Sequence, residues 1–131
     1  MNDNTHDYCL SAFRLYSMCG CPRQKDIREL DINDPSIEDL SAVSKTVEDL
    51  MGEPEGRDIV DCLKVVYFTR PKELKEKGTV TLRVRKASDI LAMSEATVYR
   101  NLRRARRIFA RNRGLRDDGD EPWLINLFTK S

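Results

Sequence analysis

Apolar residues recur at intervals of three and four over most of the chain, the spacing that lines up one face of an α-helix. Cys9, Phe13 and Tyr16, with Ala12 beside them, predict a first helix over about Asp7 to Met18, closed by Gly20-Cys21-Pro22. The stretch RQKDIRELDINDP is charged, has no clear period, and reads as a short helix followed by a loop ending at Pro35. Ile37, Leu40, Val43, Val47 and Leu50 predict the next helix. Ser36 is its expected cap, accepting from the backbone at position 39 while Asp39 reaches back. Gly52 is the expected left-handed stop. Ile59, Leu63 and Val66, broadened by Val60 and Tyr67, predict a helix from about Gly56 to Thr69, closed by Arg70-Pro71. PKELKEKG then reads as an exposed connector, carrying a helical turn or a β-turn before TVTLRV.

The pattern sharpens in RKASDILAMSEATVYRNLRRARRIFARN, residues 85–112. Ala87, Ile90 and Leu91 form a short apolar face, Ala92-Met93 makes a tight corner, and Ser94 is a good cap for a second helix. Val98, Leu102, Ala105 and Phe109, with Ile108 beside them, form the stripe of that helix. Two helices meeting at a short turn, the second capped and basic, match the helix-turn-helix pattern. The expected fold is therefore all-α, a small helical domain ending in such a motif. An N-terminal helical region spans 1–55, the DNA-binding module 56–116, and an acidic and apolar tail 117–131.

Charge supports that division. The net charge is only +1. Between Arg83 and Arg116, however, eleven basic residues stand against two acidic ones, Asp89 and Glu95, so this segment carries +9 and the remainder −8. A solvated helix face of one sign would repel itself, so the asymmetry points to a polyanionic partner. If Val98, Leu102 and Ala105 face inward, then Glu95, Ala96, Tyr99, Arg100 and Arg103 point outward from the start of the second helix, with Thr97 at the margin. A recognition helix reads base edges with that part. Arg100 and Arg103 are the candidates for guanine O6 and N7, and Glu95 for cytosine N4 or for the helix dipole. Lys86, Arg104, Arg106 and Arg107 are the candidates for phosphate contacts.

The stretch ASDILAMSEATVYRNLRRAR resembles region 4 of bacterial sigma factors, above all the extracytoplasmic-function type. The likeness rests on Leu91, Ala92, Ser94, Thr97-Val98 and Arg104-Ala105-Arg106. DIVDCLKVVYF sits where region 4 has its first helix. Region 4 usually has glycine where Ala92 stands, and the connector from Thr69 to Arg83 is longer than usual. A chain of 131 residues is expected to lack the sigma domain that melts the −10 element. It therefore resembles phage late-gene regulators of the antiterminator Q and ArpU types. That resemblance implies action near a phage or prophage promoter together with RNA polymerase, by antitermination or activation of late genes. Other readings are a sigma-like module that binds polymerase or an anti-sigma partner without reading DNA, an arginine-rich RNA binder, and a recombinase, for which the chain has no room. A homodimer is left open.

The remaining chemistry is sparse. His6, Cys9, Cys19 and Cys21 form H-x2-C-x9-C-x-C, residue types that zinc accepts, although plain thiols are the favoured reading. In the tail, four acidic residues precede Trp123, Leu124, Ile125, Leu127 and Phe128. These read as a helix docking on the domain, and in second place Trp123, Leu124, Leu127 and Phe128 read as a contact for a partner. The lone histidine and the lack of a nucleophile elbow, phosphate loop or H-E-x-x-H motif argue against an enzyme with a small-molecule substrate. With no bilayer-length apolar run and no signal peptide at MNDNTHDYCL, a cytoplasmic protein is expected.

Overall fold

The computed structural model describes residues 3–30 and 34–115. Among them the fold is all-α: α1 (Asp3–Met18), α2 (Gln24–Arg28), α3 (Pro35–Met51), α4 (Gly56–Val66), a 3-10 turn (Pro71–Lys75), α5 (Thr79–Leu91) and α6 (Glu95–Arg113). No helix among the described residues is long and apolar enough to cross a membrane. The tail, with Trp123, Leu124, Leu127 and Phe128, lies outside the described residues.

One core runs from Cys9 on α1 to Phe109 on α6. The longest helix, α6, is its axis, flanked by α1, α3, α4 and α5. Phe13 on α1 joins these layers, its ring 5.3 Å from Tyr67 and 5.4 Å from Phe109. A polar seam ties α3 to α6: the Asn112 side-chain amide donates to Thr46 Oγ1 at 3.1 Å and to Asp49 Oδ2 at 3.3 Å. Thr46 is fully buried and donates its own hydroxyl proton to the Ala42 carbonyl, so both of its hydrogen-bonding roles are filled.

Several helix ends differ from the sequence expectation. The cap of α3 is Asp34, whose carboxylate accepts from Ser36 N at 2.8 Å, with Pro35 as the first helical residue. Proline suits that position because its missing N–H has no helical partner to lose. Asp39 is thereby released from the expected box and accepts from Tyr8 Oη at 2.6 Å and Arg113 Nε at 2.8 Å, joining α1, α3 and α6. Burial and this hydrogen bond to Asp39 both hold the Tyr8 phenol above its ordinary pKa. Gly52 is not left-handed, with φ −85°. The glycine that the α3–α4 junction requires is Gly56, where a Cβ would lie 1.5 Å from the Leu50 carbonyl oxygen.

Helix α4 stops at Val66 rather than Thr69, because Arg70 turns left-handed (φ 44°) ahead of Pro71. The freed carbonyls are capped from a distance. Arg83, on α5 and only 9% exposed, donates Nη1 to Val66 O and Nη2 to Arg70 O, both at 2.9 Å. This arginine is structural, although its charge counted toward the basic segment. Arg83→Ala should lower unfolding free energy by about 3 kcal/mol, because hydrogen bonds from a charged donor are lost and a buried carbonyl is stranded. Arg83→Lys should recover only part of that, as one ammonium does not fork to both carbonyls. Urea titrations of the three proteins check it.

TVTLRV, with its β-branched residues, opens α5 as helix, directly after a β-turn in which the Thr79 amide donates to the Glu76 carbonyl at 3.2 Å. Val84 and Ala87 bury against the neighbouring helices, and packing outweighs local propensity. Ile90 does not join that face: it is 59% exposed, and Leu82 on the same helix is 64% exposed.

Candidate nucleic-acid interface

Helix α5 ends at Leu91, Ala92 and Met93 make the corner, and Ser94 caps α6. Each part has a local cause. The Ser94 hydroxyl oxygen accepts from Thr97 N at 3.0 Å and reaches Thr97 Oγ1 at 2.9 Å, satisfying an amide that the helix itself leaves open. Ala92 adopts the left-handed conformation (φ 54°, ψ 48°) in which glycine is the usual residue. The amides of Ala92 and Met93 both donate to Ser88 O, and the Ser88 hydroxyl donates to Met93 O, so the corner is closed from both sides. An alanine there costs about 1 kcal/mol relative to glycine. Ala92→Gly should therefore raise stability by about that amount without moving α6, which thermal denaturation together with helical circular dichroism would register.

Beneath the corner is an anchor that the sequence pattern did not mark. Met93 Sδ lies 3.6 Å from Cys62 Sγ on α4, and the Asn101 amide of α6 points at both sulfurs, at 3.5 and 3.7 Å. Burial pushes the Cys62 thiol above its ordinary pKa, as suits a packing thiol rather than a reactive one. The only available signal was the apolar position of Cys62 within the α4 stripe.

With the corner held, α6 is oriented as the stripe requires. Val98, Leu102, Ala105 and Phe109 are buried to within 1% exposure. On the opposite side Glu95, Ala96, Tyr99, Arg100 and Arg103 are exposed along the N-terminal half, with Thr97 half-buried at the margin. These six residues thus fall on one outward surface and its edge.

The four phosphate candidates separate. Lys86 is exposed on α5. Arg104 extends over the α3–α4 junction, where its Nη2 sits 2.7 Å from Glu53 Oε1. Arg106 turns aside and donates Nη1 to Tyr67 Oη at 2.9 Å. Tyr67 is itself buried, and that burial raises its pKa while the Arg106 cation opposes the rise. Arg107 is half-buried in the wall of a groove of about 1000 Å³. The groove has one basic wall, with Arg100, Arg103, Arg104 and Arg107, and one acidic wall, with Glu53, Glu55 and Asp58; Leu91, Ala92 and Met93 also line it.

His6, Cys9, Cys19 and Cys21 are not brought together. Cys9 is buried, its thiol 3.9 Å from the Arg106 carbonyl, while Cys19, Cys21 and His6 are exposed, His6 beside Asp7. The reason is local: α1 turns Cys9 into the core, whereas Cys19 and Cys21 lie beyond its end. There Gly20 and Cys21 take positive φ, and the Cys21 amide closes the helix on the Tyr16 carbonyl. Among the described residues no group of three or more His, Cys, Asp or Glu is arranged to hold a metal ion.

The described chain is an all-α protein that presents one arginine-bearing face on a capped helix. No family model, curated protein or solved structure matches it.

Proposed function

We propose that this chain is a sequence-specific, double-stranded DNA-binding transcription regulator, with α5 and α6 as a helix-turn-helix of the sigma region 4 kind. One observation carries the reading: the whole apolar stripe of α6 is buried while Ala96, Tyr99, Arg100 and Arg103 stand out on its N-terminal half. A helix of this kind enters the major groove by its N-terminal turns, and small Ala96 lets its backbone approach. Arg100 and Arg103 fork onto guanine edges, and Lys86 and Arg107 neutralise phosphates. The acidic wall of Glu53, Glu55 and Asp58 repels the backbone on one side of α6, which limits the orientations a duplex can take. The resemblance to antiterminator Q and ArpU regulators extends the proposal to phage or prophage promoters, where the protein acts with RNA polymerase in the cytoplasm and performs no catalysis.

The deciding experiment is selection of bound fragments from random duplexes, with and without RNA polymerase, followed by affinity against salt concentration. A recurrent motif should be enriched without polymerase, and log K should fall linearly with log salt as counterions are released. Equal, weak affinity for every duplex would refute the reading. A second reading, a module that binds polymerase or an anti-sigma partner without reading DNA, is favoured by Leu82 and Ile90, exposed on α5. It predicts retention by polymerase with no enriched motif.

A further inference from the structure

A second groove, of about 430 Å³, lies at the other end of α6. Ile27, Leu30, Ile37 and Ala42 supply its apolar side, Arg28 and Lys45 its cations, and Asn112 and Arg113 the end of α6; its one carboxylate among the described residues, Glu38, lies 3.5 Å from the Arg113 guanidinium. Helix α2, which forms one side, has only five residues and buries a single one, Ile27. Its tie to α3 is polar: the Gln24 amide donates to Ser41 O at 2.6 Å. Leu30, just past α2, is left 45% exposed. A helix this short gains its stability from packing rather than from its own hydrogen bonds, so an apolar cover over Leu30 would strengthen it.

We propose that this groove is the docking site of the chain's own C-terminal segment, residues 116–131. Three observations select that occupant. The first is where the described chain ends. Gly114 turns left-handed (φ 82°), the Leu115 amide donates to Ala110 O, and the chain leaves α6 beside Arg113, which lines the groove. From Leu115 to Trp123 eight residues span at most about 28 Å, ample for a neighbouring groove. The second is chemistry: Asp117, Asp118, Asp120 and Glu121 match the cations Arg28 and Lys45, and Trp123, Leu124, Ile125, Leu127 and Phe128 match the apolar surface.

The third observation excludes the other basic surface. The groove beside Arg100 and Arg103 has three carboxylates along its opposite wall, Glu53, Glu55 and Asp58, which repel a run of four carboxylates, against the single Arg113-paired Glu38 here. Arg103 also lies ten residues from Arg113, about 15 Å along the helix. Docked beside Arg113, the acidic run stays clear of the outward arginines, so the tail braces α2 and leaves that face open.

Trp123 is the only tryptophan, so its fluorescence in the full chain reports the docking directly. In the folded protein its emission should be shifted to the blue relative to the urea-unfolded chain, and acrylamide should quench it poorly. Leu30→Asp, at a half-exposed position, should shift emission to the red and raise quenching several-fold while helical circular dichroism is retained. The charge reversal Arg28→Glu with Lys45→Glu should do the same without touching any apolar contact. Leu82→Asp and Arg103→Glu, on other faces, should change nothing. A tryptophan already exposed in the wild type would overturn the proposal. So would a shielded one that ignores both groove variants, or shielding that vanishes on dilution, which would mark a second copy as the source. None of these readouts involves DNA, so the result stands apart from the reading of α6.

Discussion

Gly56→Ala should destabilise the protein by about 3 kcal/mol or more, whereas Gly52→Ala four residues earlier should be neutral or slightly stabilising. The contrast comes from space rather than from backbone dihedrals. A methyl group on Gly56 would overlap the Leu50 carbonyl, at 1.5 Å from its oxygen and 2.4 Å from its carbon, and backbone cannot swing aside as a side chain can. Relief requires α3 and α4 to separate at their junction, which strains the buried contacts of Leu50 and Ile59; overpacking of this kind costs roughly 1–3 kcal/mol even where side chains can yield. At Gly52 the nearest atom to an added Cβ is 3.6 Å away and φ is negative, so alanine fits and reduces the entropy of the unfolded chain. Denaturant midpoints of the two variants measure the difference. Equal midpoints would mean that the close approach of α4 to α3 is wrong. Because Glu53, Glu55 and Asp58 ride on this junction, Gly56→Ala should also disturb the acidic wall opposite the arginines.

Loss of base discrimination is the other large effect expected. Arg100→Ala and Arg103→Ala should each cost about 1–3 kcal/mol on the selected site and much less on unrelated duplexes, because a bidentate pair with guanine is available only where guanine stands. Arg107→Ala should instead weaken all duplexes alike and reduce the salt slope by about one unit. Arg104→Ala should weaken all duplexes by only a small amount, since a phosphate must first displace Glu53 from the Arg104 guanidinium. That displacement is cheap, as an exposed pair of this kind contributes about 0–1 kcal/mol. Competition titrations with cognate and scrambled duplexes over a range of salt separate the three behaviours. A uniform loss of affinity for every sequence in all variants would remove base reading from α6.

Much of the fold was legible in the residue pattern. The stripes through Phe13, Leu40, Leu63 and Leu102 all became buried helix faces, and Ser94 caps α6 as its position implied. The short helix after Pro22 and a helical turn in PKELKEKG are both present. What could not be read was the fate of individual cations. Arg83, Arg106 and Arg113 belong to the same basic run as Arg100 and Arg103, yet they bond to Val66 and Arg70 carbonyls, to Tyr67, and to Asp39. No spacing rule distinguishes them, because a long guanidinium side chain chooses its partner from whatever packing brings within reach. Ile90 illustrates the converse: it is apolar and at helical spacing from Ala87, but it faces away from α4 and α6.

The sequence by itself determined the helices, their buried faces and the corner at Ala92-Met93. Period, cap and breaker act between residues at most four or five apart, and such signals survive in a linear string. Tertiary structure alone decided which glycine is indispensable, which arginines stay outward, and that an acidic wall stands across from them. Those outcomes depend on partners brought together from 13 to 74 positions away, as with Arg83 and Arg70 or Arg113 and Asp39, and only the packed chain sets those distances.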